Sequence, residues 1–424
     1  MNMHIPIGRT NYPGNNRDVI WNPTQAINGH VIIVGSSGSG KTYRLRHIID
    51  HLARQNPVST IHILDVHGDI APESRNRVEF SEATQNGLNP LAIDPHPQFG
   101  GVRKRINSFI SMINRTTHRL GSRQEATLRA LLAEMYELKG YDAGNSATWR
   151  RSGPSPTIND LAILAEWRAN NLVFGLGSDG IKAIQEVLRT QNQLFKLKKQ
   201  GNNVDEAKFE AKKLQLLENI TGFVHSIQTG LELKEVMRFD SLENIKAIYE
   251  RVMAIKSAGI FGDNPPEFSS RIPQKVYDIK ALQEDEQSMF AEVLLENIFI
   301  EAKARGPRDY PDTFVVIDEA HKFMSDDGDH ILNRMSKEVR KFGVGLILVS
   351  QNFDHFSADL IQNTAMTMIL GLHEMDHRST AAKLMIDPKK LAYIKLQQTG
   401  IVQIRNKAGT RSSTNAFLDI DLAS

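Results

Sequence analysis

Residues 35–42 read Gly-Ser-Ser-Gly-Ser-Gly-Lys-Thr, which fits the phosphate-binding pattern GxxxxGK(S/T) in full. Glycines in such a loop let backbone N–H groups approach a polyphosphate anion. Lys41 would reach the β- and γ-phosphates, and the Thr42 hydroxyl would hold Mg²⁺. The pattern therefore predicts a site for ATP and Mg²⁺. The other residues of this predicted site are Gly35, Ser36, Ser37, Gly38, Ser39 and Gly40.

The chain on either side of this loop carries the elements that must position it. Val31–Val34 is a continuous apolar run, which predicts a buried strand. Residues 43–54 place apolar side chains at helical spacing from Leu45 to Leu52, which predicts a helix. The alternative is a serine- and glycine-rich turn before a helix, but the strand ahead of the loop favours the phosphate-binding interpretation.

A second candidate for ATP chemistry is the apolar run 313–317 followed by Asp318 and Glu319. Asp318 would hold Mg²⁺ through its water shell, and Glu319 would polarise the attacking water as a general base. A strand followed by a solvated turn gives the same pattern, so the interpretation of Asp318 and Glu319 as ATPase residues depends on the phosphate loop upstream. Ala320 and His321 extend the motif to Asp-Glu-Ala-His, which also occurs in helicases of another superfamily and so assigns no family.

A third segment runs from Arg340 to Gln351 and leads through an apolar strand. Gln351 would sit at the carboxyl edge of the sheet and sense the γ-phosphate, unless it is simply a polar residue that ends a strand. Arg340 or Lys341 could stabilise transition-state charge across a subunit interface. The alternative for both is the solvated end of a helix, which the helix dipole favours in any case.

A fourth segment, residues 65–69, follows the apolar run 60–64 and reads Asp-Val-His-Gly-Asp. Ligands bind at the carboxyl edge of a doubly wound sheet, so this position brings carboxylates to the predicted site. Asp69 lies just beyond the strand and is the better site candidate. An Asx turn at Gly68 is the alternative explanation.

Composition limits the classes of protein that need to be considered. The chain has 424 residues, and its formal charge of +2 is too small to indicate nucleic-acid binding by overall charge alone. The absence of cysteine excludes disulfides and cysteine-type zinc sites, and fits a cytoplasmic location. We also expect no integral membrane segment, because no apolar run approaches 18 residues.

Strand and helix patterns alternate over residues 29–96 and 271–424, which predicts an α/β core with a mainly parallel sheet. Helical periodicity dominates residues 97–270, which we interpret as a helical insertion. Residues 1–28 carry short strand patterns and are too few for a domain. We expect this lead-in to pack beside the nucleotide site.

The order of these motifs resembles the HerA/FtsK superfamily of ring-shaped P-loop motors. The shared steps include an Asn-Pro-Leu step at 89–91, the Asp-Glu pair and the segment from Arg340 to Gln351. The resemblance implies a RecA-like P-loop NTPase core that hydrolyses ATP with Mg²⁺. It also implies a homo-oligomer, a hexamer in many members, with DNA passing through the pore and a basic finger from the next subunit.

Three functions follow from this resemblance and remain open at this point. The first is a ring motor that translocates double-stranded DNA, with a nuclease as a candidate partner. The second is a conjugation or type IV secretion ATPase that drives DNA or protein through a membrane channel, which the helical insertion favours. The third is a nucleotide switch with little turnover, against which the intact Lys41, Thr42, Asp318 and Glu319 argue.

Overall fold

The structure is a computed structural model, and its residues fall into two compact units. We call Met1–Asn89 together with Ala258–Ser424 the core unit, and Pro90–Ser257 the helical unit. The residues that the structure describes are 3–11, 16–55, 60–150, 153–174, 178–198, 206–226, 242–262, 264–325, 327–328, 330–407 and 416–422.

The described part of the core unit is built on a sheet of 11 strands in the order β2-β1-β11-β10-β9-β3-β8-β7-β4-β6-β5. The seven strands from β9 to β5 are parallel to their neighbours, and the remaining pairs are antiparallel. The predicted α/β fold with a mainly parallel sheet is confirmed. The strands are β1 (Ile5–Thr10), β2 (Asp18–Trp21), β3 (Val31–Val34), β4 (Thr60–Asp65), β5 (Arg77–Glu79), β6 (Gln274–Asp278), β7 (Thr313–Ile317), β8 (Val344–Ser350), β9 (Met366–Ile369), β10 (Thr399–Ile404) and β11 (Leu418–Asp421).

The central parallel strands are mostly apolar and are buried along their whole length. Every residue of β3, β7, β8 and β9 is buried, as expected for a sheet that is covered on both faces. The helices of the chain are α1 (Lys41–Ala53), α2 (Val102–Thr116), α3 (Ser122–Leu138), α4 (Ile158–Phe174), α5 (Ser178–Lys198), α6 (Glu206–Ser226), α7 (Leu242–Ser257), α8 (Glu284–Arg305), α9 (Ile331–Glu338), α10 (Ala358–Gln362), α11 (Glu374–Leu384) and α12 (Pro388–Ala392).

The N-terminal segment forms β1 and β2, which extend the sheet. β1 pairs with β11 and β2, so three strands separate it from β3 and the phosphate loop. The segment contacts the helix that follows that loop: His47 Nε2 lies 3.0 Å from the carbonyl oxygen of Pro6. It therefore supports α1, the helix that follows the phosphate loop, from the side.

The helical unit contains α2 to α7 and its own apolar core. The buried side chains of α2 recur at helical spacing from Ile106 through Phe109 to Ile113. Tyr136 of α3 is wholly buried and donates a hydrogen bond to the carbonyl oxygen of Leu91 at 2.7 Å. The sequence predicts a helix over 204–230; α6 covers its centre, and both ends of that range lie outside the described residues.

No helix in the described ranges combines the length and the apolar composition that crossing a bilayer requires.

Candidate nucleotide site

Four neighbouring parallel strands deliver the predicted motifs to one edge of the sheet. The strands lie in the order β3-β8-β7-β4, and by their pairing register they end within two residues of one another. Val34 pairs with Ser350, and Leu348 pairs with Ile317. The phosphate loop, Gln351, the Asp-Glu pair and the segment 65–69 therefore all leave the sheet at its carboxyl edge, where ligands bind in this class of fold.

The phosphate loop has the backbone shape that an anion cradle needs. Gly38 and Gly40 have φ angles of 76° and 93°, a left-handed conformation that favours glycine. Gly40 is also the N-cap of α1, so the loop passes directly into the amino terminus of that helix. The buried Ser39 hydroxyl has no hydrogen-bond partner among the described residues, and a polyphosphate oxygen would supply one.

Lys41 lies between the loop and the acidic residues that follow β7. Its Nζ donates to the carbonyl oxygens of Gly35 at 2.7 Å and Ser36 at 3.0 Å. Burial lowers the pKa of Lys41, and the charges of Glu319 and Asp318 offset part of that effect. The ammonium group is therefore close to both acids, as a lysine that bridges phosphate and Mg²⁺ ligands must be.

Asp318 is a buried carboxylate beside other charged groups. Its Oδ1 accepts a hydrogen bond from the Glu319 N–H at 2.9 Å. The pKa of Asp318 is raised to about 6, chiefly by burial and also by the charges of Glu319 and Asp69, while the hydrogen bond from the Glu319 N–H and the charge of His67 act to lower it. Such a carboxylate fits a divalent cation, because bound Mg²⁺ would stabilise its ionised form. Thr42, the second residue of α1, is the other predicted Mg²⁺ ligand.

Glu319 has an unusual backbone and two side-chain neighbours. Its φ of 48° is left-handed, which is uncommon for a residue other than glycine and is concentrated at functional sites. Gln351 Nε2 lies 3.5 Å from Glu319 Oε2, and His321 Nδ1 lies 3.0 Å from the same oxygen. The structure thus brings the predicted general base and the predicted sensor together.

Comparison with known proteins agrees with this arrangement. A family model described as the central domain of the helicase HerA (DUF87) matches residues 5–155. The structure of VirB4 from Thermoanaerobacter pseudethanolicus superposes with a TM-score of 0.67 at 15% identity, over 99% of this chain and 96% of that one. The predicted resemblance to the HerA/FtsK superfamily of P-loop ATPases is confirmed.

A second structural relative is the plasmid coupling protein TrwB in complex with a non-hydrolysable ATP analogue. It superposes with a TM-score of 0.55 at 12% identity, over 93% of this chain and 85% of TrwB. At these identities the likeness is one of fold. No curated protein matches the chain.

The two acids of segment 65–69 have different environments. Asp65 is fully buried and its carboxylate accepts the N–H groups of Gly68 at 2.8 Å, Asp69 at 3.2 Å and Ile70 at 3.3 Å. Asp65 therefore shapes the turn, which is the structural role that the sequence left open for this segment. Asp69 is close enough to Asp318 to raise its pKa, so it lies at the site as predicted.

Sequence reasoning missed Arg77, which lies on the three-residue strand β5. Its Nη1 lies 3.0 Å from Asp65 Oδ2, and its Nη2 lies 2.6 Å from Asp278 Oδ2. Burial alone would lower the pKa of Arg77, but the hydrogen bonds and charges of Asp278 and Asp65 outweigh it and raise the pKa. Arg77 therefore fixes the turn that carries Asp69, and the acids that end β4 and β6 were the signal for such a cation.

Gln397 is a second residue that sequence reasoning missed. Its Nε2 donates to the carbonyl oxygen of Gly38 at 2.8 Å, and its φ of 62° is left-handed. The segment before β10 therefore braces the phosphate loop. A cavity of about 400 Å³ opens here. It is lined by Ser39, Gly40, Tyr43, Arg44, Gln397 and Leu422.

Arg340 is the one predicted site residue that the structure places elsewhere. It is exposed on the 3-10 turn Val339–Phe342, which precedes β8, whereas Gln351 follows that strand. β8 has seven residues, so its two ends are about 20 Å apart. Arg340 therefore cannot reach the nucleotide site of its own subunit.

Proposed function

We propose that this chain is a Mg²⁺-dependent ATPase that moves double-stranded DNA through a ring of identical subunits. The observation that carries the proposal is the convergence of Lys41, Asp318, Glu319 and Gln351 at the carboxyl edge of four adjacent parallel strands. A family match to the HerA central domain supports the same activity.

Each residue at this edge has a distinct task in hydrolysis. The loop N–H groups from Gly35 to Gly40 and the Lys41 ammonium bind the phosphates. Thr42 and Asp318 hold Mg²⁺, which neutralises charge on the transferring phosphoryl group. The structures of TrwB in complex with ADPNP and with ADP and Mg²⁺ support these two ligands.

The remaining residues act on the attacking water. Glu319 orients that water and accepts its proton, and Gln351, which contacts Glu319 Oε2, detects loss of the γ-phosphate through that contact. Asp69 supports Asp318 from the neighbouring strand end. In this proposal the reaction is an in-line displacement in which most catalysis comes from positioning and charge.

We assign the domains as residues 1–28 for the lead-in, 29–96 and 271–424 for the ATPase core, and 97–270 for the helical insertion. The described helices α2 to α7 all fall within the last range. These boundaries differ from those of the compact units at residues 90–96 and 258–270. The insertion is the part of the chain that would differ most between motors that share this core.

The position of Arg340 favours assembly. An arginine that cannot reach its own site can serve as a finger only for the next subunit, and a closed ring places every subunit beside a neighbour. We therefore assign Arg340 as the finger supplied in trans and a homo-hexamer as the active form.

A second candidate function is a conjugation or type IV secretion ATPase that acts at a membrane channel. The observation that favours it is the likeness to VirB4 and to the coupling protein TrwB over nearly the whole chain. In that case DNA alone would not stimulate hydrolysis, and a channel protein would be required.

The deciding experiment measures ATP hydrolysis of the purified chain with and without double-stranded DNA, together with its mass by light scattering. Stimulation by DNA in a species near six subunits supports the translocase. A monomer whose ATP hydrolysis is not stimulated by DNA supports the second candidate.

Two variants test the roles of the site residues. Lys41→Ala should lose nucleotide binding, whereas Glu319→Gln should bind ATP and lose at least about a hundredfold in turnover. Normal turnover by Glu319→Gln would overturn the general-base assignment.

A further inference from the structure

His321 contacts the proposed general base and has no task in the mechanism above. It lies on the 3-10 turn Ala320–Phe323, directly after Glu319. Its Nδ1 is buried, lies 3.0 Å from Glu319 Oε2, and forms no aligned hydrogen bond with any described residue. A buried ring nitrogen this close to a carboxylate needs only a small rotation to donate to it, and catalytic contacts of this kind often tighten when substrate binds.

The ring of His321 is held from its other side. It stacks on the ring of His355 with centroids 5.0 Å apart and planes at 30°. His355 Nδ1 in turn lies 3.0 Å from the hydroxyl of Ser350, the last residue of β8. His321 is therefore anchored to the same strand end that carries Gln351.

Both side-chain contacts of Glu319 are made to one carboxylate oxygen. His321 Nδ1 and Gln351 Nε2 approach Oε2, and no hydrogen bond to Oε1 is found among the described residues. A carboxylate held by one oxygen leaves the other free to accept the proton of a water. Burial lowers the pKa of His321, so the ring is neutral at pH 7 and can present an N–H at Nδ1.

We propose that His321 is a positioning residue that holds Glu319 Oε2 so that Oε1 faces the attacking water. The proposal rests on the ATPase function above. It predicts that the Nδ1–H donor is needed and that the ring itself is not. It also predicts that His321 acts through Glu319 and does not act on nucleotide binding.

The test compares His321→Phe, which keeps the ring stacked on His355, with His321→Asn, whose amide can donate from the Nδ1 position. We expect His321→Phe to lower kcat about tenfold to a hundredfold while KM and the affinity for ADPNP change less than twofold. His321→Asn should recover most of kcat. His118→Asn, at an exposed histidine of the helical unit, is the matched control and should leave kcat unchanged.

A double variant separates this role from simple loss of structure. His321→Phe should cost nothing further in the Glu319→Gln background, because its effect passes through the carboxylate. Wild-type kcat in His321→Phe, or equal losses in both His321 variants with weakened ADPNP binding, would overturn the proposal. If the wild type hydrolyses ATP and Glu319→Gln does not, either of these two outcomes overturns the role of His321 and leaves the ATPase function standing. A wild type that cannot hydrolyse ATP overturns the ATPase function and this role with it.

Discussion

Two groups of buried carboxylates lie at neighbouring strand ends of the same sheet edge, and they differ in what balances their charge. Asp65 and Asp278, which end β4 and β6, share the guanidinium of Arg77 at 3.0 and 2.6 Å. Asp318, which follows β7 beside them, receives one backbone N–H and has a raised pKa. We call these the paired acids and the unpaired acid.

This difference distinguishes the acids that position the backbone from the acid that could bind a ligand. The paired acids have a built-in cation, and together with it they hold the turn that carries Asp69. The unpaired acid has Lys41 nearby, but the hydrogen bonds of Lys41 go to loop carbonyl oxygens. Its charge is fully balanced only when a cation arrives, and acids kept in this state are typical of ligand sites.

Removal of the built-in cation should have the largest effect on folding. Arg77→Met leaves the buried carboxylate of Asp65 without its cation, and leaves that of Asp278 with only the partly exposed Lys280, whose Nζ lies 3.5 Å from Oδ2. We expect a loss of about 3–5 kcal/mol in the free energy of unfolding, the usual cost of breaking a buried ion pair from one side. Urea unfolding followed by circular dichroism measures it.

The matched control for Arg77 is Arg9→Met, because Arg9 pairs with Asp18 at the surface, where both side chains are about two-thirds exposed. That change should cost less than about 1 kcal/mol. Equal losses for the two variants would mean that the paired acids gain nothing special from burial, and the comparison would fail.

The sequence predicts the residues that would act on ATP at this edge better than it predicts the contacts that hold them in place. The phosphate loop, Asp318 and Gln351 were predictable, because each follows an apolar run of four to seven residues, which predicts a buried strand. The three residues of β5 include Arg77 and Glu79 and give no strand pattern. The fold-class prediction was right because it depended on the long strands alone.

Contacts between distant parts of the chain explain the rest of what was missed. Arg77 and Asp278 are 201 residues apart, and Gln397 and Gly38 are 359 apart. No local pattern relates such residues, since only the sheet order brings them together. The turn at Asp65 was within reach of sequence reasoning, because its acceptors and donors lie within five residues.

Neutralising Asp318 should change the free energy of unfolding by less than Arg77→Met does, and in the opposite direction. Burial raises the pKa of Asp318 from 3.8 to about 6, so at pH 7.5 the folded protein holds a charge that the unfolded chain carries more easily. Asp318→Asn should therefore stabilise the metal-free protein at pH 7.5 by on the order of 2–3 kcal/mol, at about 1.4 kcal/mol per pH unit. Thermal unfolding in EDTA measures the effect.

The gain from Asp318→Asn should shrink as the pH falls through 6 and vanish below 3.8, where Asp318 is protonated in both states. Asp309→Asn, at an exposed carboxylate on the loop before β7, controls for the general effect of losing a negative charge. Mg²⁺-dependent hydrolysis should be lost in Asp318→Asn at every pH. A destabilised Asp318→Asn protein at pH 7.5 would show that the acid is already balanced without a cation.

Arg340 should have the smallest effect on folding, because it is an exposed cation that balances no acid at this edge. Arg340→Ala should change the free energy of unfolding by less than about 0.5 kcal/mol. In the assembled protein it should lower kcat by about a thousandfold if it is the finger supplied in trans. The adjacent exposed Lys341 gives the matched control, Lys341→Ala, which should retain activity.

Mixing experiments make the Arg340 prediction specific to the assembly. An inactive Arg340→Ala subunit still has an intact nucleotide site, and a Glu319→Gln subunit still has its finger. Mixed rings should therefore recover part of the activity, since some sites then combine an intact Glu319 with an Arg340 from the neighbour. If mixed rings stay inactive, or if a purified monomer shows the same loss as the ring, Arg340 does not act across the interface. A different residue would then have to supply the cation to the nucleotide site that contains Asp318.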